Sequence, residues 1–380
     1  MLLSGYCYKE LRSVSLQLGK DWLVSIQLKL IGVRAPLTIF SELFYFSYCW
    51  TNFGALKKIL VIRFSSIGDI VLTTPVIRCL KHKYPDSEIH FITKKSFSNV
   101  VVSNPYISKV ISIDKEVKEV AKQLEKEGYS FVVDLHKNIR SRQVISAVKA
   151  KNTSFKKYNW EKFLLTHFKL NKMPDLHIVD RYLATIAELD VVNDLKGLDF
   201  FIDPKNKVSD LPFDNYLALV VGAAHQTKAL TAQKMSEIIE SVNFPIVLVG
   251  GKDDKEKGEK AIFLSDDSSQ IFNACGIYNL EQSASILKQS KCVITPDTGM
   301  MHIASALNKP VISIWGNTVP EFGMYPYIPQ SKELVHIVEV KEINCRPCSR
   351  IGYEKCPKQH FNCIQNIDVQ QVKEIVDRYI

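Results

Sequence analysis

The chain has 380 residues, 46% of them hydrophobic and 23% charged, with a net charge of +9. This is the composition of a soluble globular protein long enough for roughly two or three domains, each able to bury a core without disulfide staples. The positive charge suits an anionic partner such as a sugar nucleotide, a phosphorylated glycan, a membrane surface or a nucleic acid, although a solvated basic surface also accounts for it.

Residues 1–56 form an N-terminal extension unlike the rest. "MLLSGYCYKELRSVSLQLGK" carries charge too early and too evenly for a secretory signal. The aromatic-rich stretch that follows has no clear period. It reads as a leader preceding the fold or as a membrane-surface anchor. No segment of the chain supplies the ~18 uninterrupted apolar residues of a spanning helix.

From Lys57 the pattern alternates. "KKILVIRF" is a continuous apolar run of strand length, followed by a helix to Tyr84. "SEIHFITKK" and "KVISI" (109–113) are further strands. "VKEVAKQLEKEG" has helical spacing and a glycine stop at Gly128, and "YSFVVDLH" is another strand. Strands apolar throughout and separated by helices predict a parallel sheet covered on both faces. Residues 151–174 are polar and weakly patterned, a helix is expected at 178–189, and 200–215 is rich in Asp, Pro and Asn and reads as a linker. The alternation then restarts through "YLALVVGA", "PIVLVGG", "QIFNACG", "KCVITP" and "PVISIWG", with helices between them. The expectation is two doubly wound α/β domains facing a cleft. Their spans are 57–205 and 206–367, and an amphipathic helix at 368–380 ends the chain.

Four turns carry chemistry. The first apolar strand ends in Ser65-Ser66-Ile67-Gly68-Asp69, at the carboxyl edge where open α/β sheets bind ligands. Gly68 permits close backbone approach. Asp69 either caps the following helix or acts in the cleft, and the residues alone leave both open. Thr74-Pro75 offers a competing helix start. "DLHKNIRSRQ" (134–143) places Lys137, Arg140, Ser141 and Arg142 on a basic rim, joined by Lys94-Lys95, which suits an anionic acceptor. In "PDTGMMHIASAL", Asp297, Thr298, Gly299 and His302 crowd the start of a helix, where free N–H groups and the helix dipole favour a diphosphate. Lys228, in the turn after strand 216–221, can neutralise a phosphate as a point charge. There is no D-x-D triplet. A diphosphate would be held by helix ends and Lys228, not by a metal on paired carboxylates.

At these residues the chain resembles the ADP-heptose:lipopolysaccharide heptosyltransferases of glycosyltransferase family 9. "SSIGD", "DLHKNIRS" and "PDTGMMHIASALNKPVISIWGNT" are similar to three of that family's motifs, and the resemblance covers roughly residues 57–380. It implies a GT-B fold, with the acceptor on the N-terminal Rossmann-like domain and the nucleotide sugar on the C-terminal one. It implies inverting transfer without a metal or other cofactor, Asp69 as general base, and donor contacts from Lys228, Asp297, Thr298, Gly299 and His302. Ser66, Gly68, Arg140 and Ser141 are the implied acceptor contacts. The expected partners are ADP-heptose or another nucleotide sugar and an anionic glycolipid acceptor. A cytoplasmic protein with peripheral contact at the inner-membrane surface is expected, and no nucleic acid. Ala223-Ala224 and "TKAL" depart from the hydroxyls and bulky residue that family members often carry around the lysine.

Nine cysteines are scattered without a small-domain disulfide framework, which suits a reducing cytoplasm. The exception is "CRPCSRIGYEKCPKQHFNC". Cys345 and Cys348 have zinc-knuckle spacing, while Cys356 and Cys363 do not repeat it. A structural metal on these four is the minority reading beside free thiols or a disulfide formed only on oxidation. Two other function classes compete with a transferase. One is a nucleotide- or nucleic-acid-binding module without catalysis, which would not need an aspartate at the opposing strand end. The other is a GT-B sugar-nucleotide epimerase, whose acid residues have no candidates in this chain.

Overall fold

The structure is a computed structural model that describes residues 56–380. The N-terminal extension, apart from Leu56, lies outside the described residues.

Two parallel sheets organise the chain. The first has five strands: β1 Lys58–Ile62, β2 Glu88–Lys94, β3 Lys109–Ile113, β4 Phe131–Asp134 and β5 Lys151–Ser154, in the order β3-β2-β1-β4-β5. The second has six: β6 Leu217–Val220, β7 Ile246–Val249, β8 Ile271–Asn273, β9 Val293–Pro296, β10 Val311–Trp315 and β11 Val335–Glu339, in the order β11-β10-β9-β6-β7-β8. The central strands are buried on both faces, so they need the unbroken Val/Ile/Leu runs seen in the sequence. The architecture is that of the GT-B fold, two Rossmann-like α/β domains.

The winding reverses once in each sheet. In the first sheet Ile59 of β1 is registered on Phe131 of β4, and in the second Leu219 of β6 is registered on Ile294 of β9. Ligands of doubly wound sheets sit at the carboxyl end of this switch point, where the two flanking crossovers leave on opposite faces and open a crevice. The four turns singled out from the sequence follow β1, β4, β6 and β9, the strands that flank the two switch points.

Several elements differ from expectation. The polar zone after residue 150 contains β5 and a helix, Asn159–Phe168. β5 is an edge strand, exposed at three of its four residues, so it carries no apolar pattern to read. β11 is the other unanticipated edge strand. The helix expected at 178–189 is Ile178–Leu183 continued by a 3₁₀ segment, Ala184–Leu189. The stretch 200–215 holds only a 3₁₀ turn, Pro204–Asn206, and is pinned by Glu281. One Glu281 oxygen accepts from the Asp203 N–H (2.9 Å) and the Asn206 amide (2.8 Å); the other accepts from the Ser103 hydroxyl (2.7 Å) of the first domain. The C-terminal helix Val369–Val376 buries Val372, Ile375 and Val376 in the core of the second domain.

The two domains meet where the short helix Ile67–Val71 packs against the helix Gly299–Ala306. A Cβ on Gly68 would lie 2.5 Å from His302 Cδ2, and one on Gly299 would lie 2.8 Å from Ile67 Cβ. Both glycines are thus required by proximity, each making room for the other domain. Gly299→Ala is expected to destabilise the protein by about 1–3 kcal/mol, as overpacking does, measured by urea unfolding.

Candidate functional site

The turn after β1 builds the first half of the site. Arg63 ends the strand, and its buried guanidinium needs partners. It donates to the carbonyls of Ser65 (2.8 Å) and Leu135 (2.5 Å) and to the Tyr182 hydroxyl (2.9 Å), and it forms an ion pair with Asp69 Oδ1 at 2.6 Å. The other carboxylate oxygen of Asp69 accepts from the Ser66 N–H (3.1 Å) and hydroxyl (2.8 Å). Asp69 therefore both caps the helix Ile67–Val71 and faces the cleft; the two readings of the sequence describe one residue. Burial pushes the Asp69 carboxyl up, but Arg63, the two Ser66 donors and His302 together outweigh it and hold the pKa below the ordinary carboxylate value. The carboxylate is ionised and oriented before any ligand arrives.

The turn after β9 builds the second half. Asp297 is almost fully buried; its Oδ2 pairs with Lys228 Nζ at 2.6 Å and accepts from the Thr318 hydroxyl at 2.8 Å. Thr298 occupies the N-cap position of Gly299–Ala306 in an extended conformation, but its hydroxyl makes no capping bond and lies 3.4 Å from that of Thr295. The first-turn N–H groups are thus not consumed by a side-chain cap, which leaves the positive end of the helix open to an anion. His302 is buried, and its Nδ1 has no hydrogen-bond partner among the described residues. Burial lowers its pKa to about 4 against the pull of Asp297 and Asp69, with Lys228 adding to the depression. The ring is therefore neutral at neutral pH, with one nitrogen unengaged.

The cysteine-bearing segment braces this half. Arg346 donates to the carbonyls of Gly316 (2.5 Å) and Thr318 (2.9 Å) and pairs with Glu339 at 2.9 Å, fixing the loop that carries Thr318. Thr227, next to Lys228, is tied to Tyr353 by two backbone-directed bonds, its hydroxyl donating to the carbonyl at 2.9 Å and accepting from the N–H at 2.7 Å. The segment thus positions both partners of the Lys228–Asp297 pair. Among the described residues no group of three or more His, Cys, Asp or Glu is arranged to hold an ion. The Cys348 thiol donates to the Cys345 carbonyl at 3.1 Å, and Cys363 is buried in the second core. All seven described cysteines are free thiols.

The remaining candidates separate. Ser66 and Gly68 sit in the turn with Asp69, Ser66 as its donor and Gly68 against His302. Arg140 lines a surface hollow with Lys115, Lys118, Asn138 and Gln143, between the segment that follows β3 and the start of the helix Ile139–Val148. Ser141, in contrast, does not lie on the rim. It is fully buried, and its hydroxyl serves Asp134 (2.7 Å) and a reciprocal capping box with Asn138. Gly299 is occupied by the contact with Ile67 and Gly68. Arg63 and Thr318 escaped the sequence reading. Arg63 left one trace, a cation closing an apolar run, where a charge is costly unless paired.

The family model "Glycosyltransferase family 9 (heptosyltransferase)" matches residues 117–358. That span includes Lys228 and the turn at 297–302 but begins after Asp69. Lipopolysaccharide heptosyltransferase 1 of Campylobacter coli is 25% identical over 288 residues, covering 69% of this chain and 84% of that protein. Lipooligosaccharide heptosyltransferase 2 of Haemophilus influenzae is 23% identical over 324 residues, covering 78% and 93%. Among solved structures, the E. coli ADP-heptose lipopolysaccharide heptosyltransferase II shares the fold at a TM-score of 0.66 with 19% identity, over 85% of this chain and 98% of that one.

The depressed histidines make a pH prediction. His302 takes up its proton near pH 4, whereas an unfolded histidine does so near 6.5. Between those values the unfolded chain binds the proton that the folded site refuses, so stability should fall as pH drops from about 6.5 towards 4. Histidine-resolved NMR titration should place His302 near about 4, and melting temperatures across the same window should decline.

Proposed function

The chain belongs to glycosyltransferase family 9, and on that premise we propose that it moves a heptose from ADP-heptose to an anionic glycolipid acceptor of the lipopolysaccharide core. The transfer is a single inverting displacement. The acceptor hydroxyl attacks the anomeric carbon from the face opposite the diphosphate, the bond from that carbon to the diphosphate oxygen breaks, and Asp69 takes the hydroxyl proton. ADP leaves with the bonding electron pair. Lys228 and the amino end of Gly299–Ala306 offset the charge that develops on the diphosphate. His302 contributes a neutral imidazole to the nucleotide side, and no metal is required, since a cation and a helix end supply the positive charge.

The observation that carries this reading is the juxtaposition of the two halves. A carboxylate held ionised by Arg63 lies on one domain, and an uncapped helix end with a paired lysine lies on the other. The contact of Gly68 with His302 brings them together. A passive nucleotide-binding module would have no use for the Arg63–Asp69 arrangement. Among the described residues no helix is long and apolar enough to cross a membrane. A lipid-borne acceptor would be met peripherally at the cytoplasmic face, where anionic lipids attract a protein of net charge +9.

Asp69→Asn should lower turnover about 10²- to 10⁴-fold while leaving ADP-heptose binding intact, as read by single-turnover kinetics and calorimetry. Unchanged turnover would remove Asp69 from the role of base. Lys228→Ala should weaken ADP-heptose binding roughly 10- to 100-fold, the loss of one charge-assisted contact. A chelator should leave turnover unaltered. If ADP-heptose and other nucleotide sugars fail to raise the melting temperature, the transferase reading itself falls.

A further inference from the structure

A second group of cations lies near Asp69 and makes no ion pair among the described residues. Arg181, on the helix Ile178–Leu183, is 4% exposed. Its Nη2 donates to the Phe322 carbonyl at 2.6 Å, but Nε and Nη1 have no hydrogen-bond partner among the described residues. The Tyr158 ring lies 5.6 Å from the guanidinium carbon and supplies a face, not an acceptor. Lys162, on the helix Asn159–Phe168, is half-buried, and its ammonium makes no hydrogen bond or ion pair among the described residues. Burial and then Arg181 lower its pKa to about 8, with Arg350 and Lys157 adding to the effect and Asp69 opposing it. Lys157 is depressed for the same kind of reason: burial first, then Arg63 and Lys137, against Asp134 and Asp69.

The nearby carboxylates are committed elsewhere. Asp69 belongs to Arg63 and Ser66. Asp134 accepts from the Ser141 hydroxyl and from the N–H groups of His136 and Lys137. Asp180 accepts from Asn193 at 3.3 Å and opposes the depression of Arg181, which burial dominates, but makes no hydrogen bond or ion pair with it. A buried guanidinium with two unmet donors beside an unpaired, partly desolvated lysine is costly to the folded protein. Such a cost is characteristic of a site whose missing charge arrives with a ligand.

We propose that Arg181 and Lys162, with Lys157 at the edge, form an anion-binding subsite that takes a carboxylate or phosphate group of the acceptor while the acceptor hydroxyl is presented to Asp69. The proposal rests on the transferase reading. It assigns acceptor positioning to the segment 157–181, between the two sheets, in addition to the basic rim after β4. Bound there, the acceptor anion would supply the acceptors that Nε and Nη1 of Arg181 lack and the counter-charge that Lys162 lacks. It would also shield Asp69 from part of the surrounding positive field, which makes the carboxylate a better base.

The test uses the full chain saturated with ADP, so that the nucleotide site is filled. Inorganic phosphate and acetate are then titrated at ionic strength held constant with chloride, and the melting temperature is followed. Wild type should show a saturable rise with at least one of the two, and Lys162→Gln and Arg181→Lys should lose it while keeping the shift produced by ADP. Response to phosphate alone or to acetate alone would each support the subsite and name the acceptor group. Absence of any rise beyond the chloride control, or a rise retained in Lys162→Gln, would overturn it. Lys162→Gln removes no hydrogen bond and is expected to fold; it decides the matter alone should Arg181→Lys be unstable. With the glycolipid acceptor, Lys162→Gln should raise KM for the acceptor about 10-fold or more at unchanged KM for ADP-heptose, the loss of one charge contact. If ADP gives no shift in wild type, the transferase reading fails instead, and the phosphate comparison of wild type with Lys162→Gln without nucleotide still judges the anion subsite.

Discussion

The close approach of Gly68 to His302 and Gly299 is the constraint on which the rest of the site depends. Two parallel sheets could be joined in many ways, but only side chains as small as hydrogen allow the amino ends of the helices Ile67–Val71 and Gly299–Ala306 to touch. That contact sets a carboxylate from the first domain and a helix dipole from the second against one small volume. In the proposed transfer the two halves are complementary, one offering a carboxylate and the other a cation and a helix end.

Each half is also locked internally before a ligand binds. Arg63 orients Asp69 and keeps it charged, and Asp297, held by Thr318, orients Lys228. Such preorganisation matters because charge that develops during a reaction is best stabilised by dipoles that need not move. The arrangement has a cost at the base. A carboxylate under a buried guanidinium is a weaker proton acceptor, and the further cations Lys157, Lys162 and Arg181 increase the positive field. Under the proposed reading an anionic acceptor would offset that field and so link the choice of acceptor to the basicity of Asp69. The cysteine-bearing segment belongs to this framework as a brace for the Lys228 and Thr318 loops.

Much of the fold was legible because parallel strands buried on both faces are apolar at most positions. β1, β4, β6, β7, β9 and β10 were therefore visible as runs, and the turns after β1, β4, β6 and β9 stood out as polar residues and glycines at strand ends. The edge strands β5 and β11 were not visible, since an edge strand lacks that demand. Ser141 shows the same limit at the site. A serine in a basic loop reads as part of the rim, whereas its burial under Asp134 comes from a capping box that only the backbone path reveals.

The sequence by itself determined the two doubly wound domains and the identity of Asp69, Lys228, Asp297 and His302 as candidates, because periodicity and turn chemistry are local properties of the chain. Tertiary structure decided what each of them does at rest. It paired Asp69 with Arg63 and Asp297 with Lys228, depressed His302, turned Gly299 into an interdomain contact, and left two nitrogens of Arg181 and the Lys162 ammonium without partners among the described residues. These outcomes depend on which groups from distant positions meet and how much water is excluded around them, and electrostatic energies are set by that geometry, not by residue type.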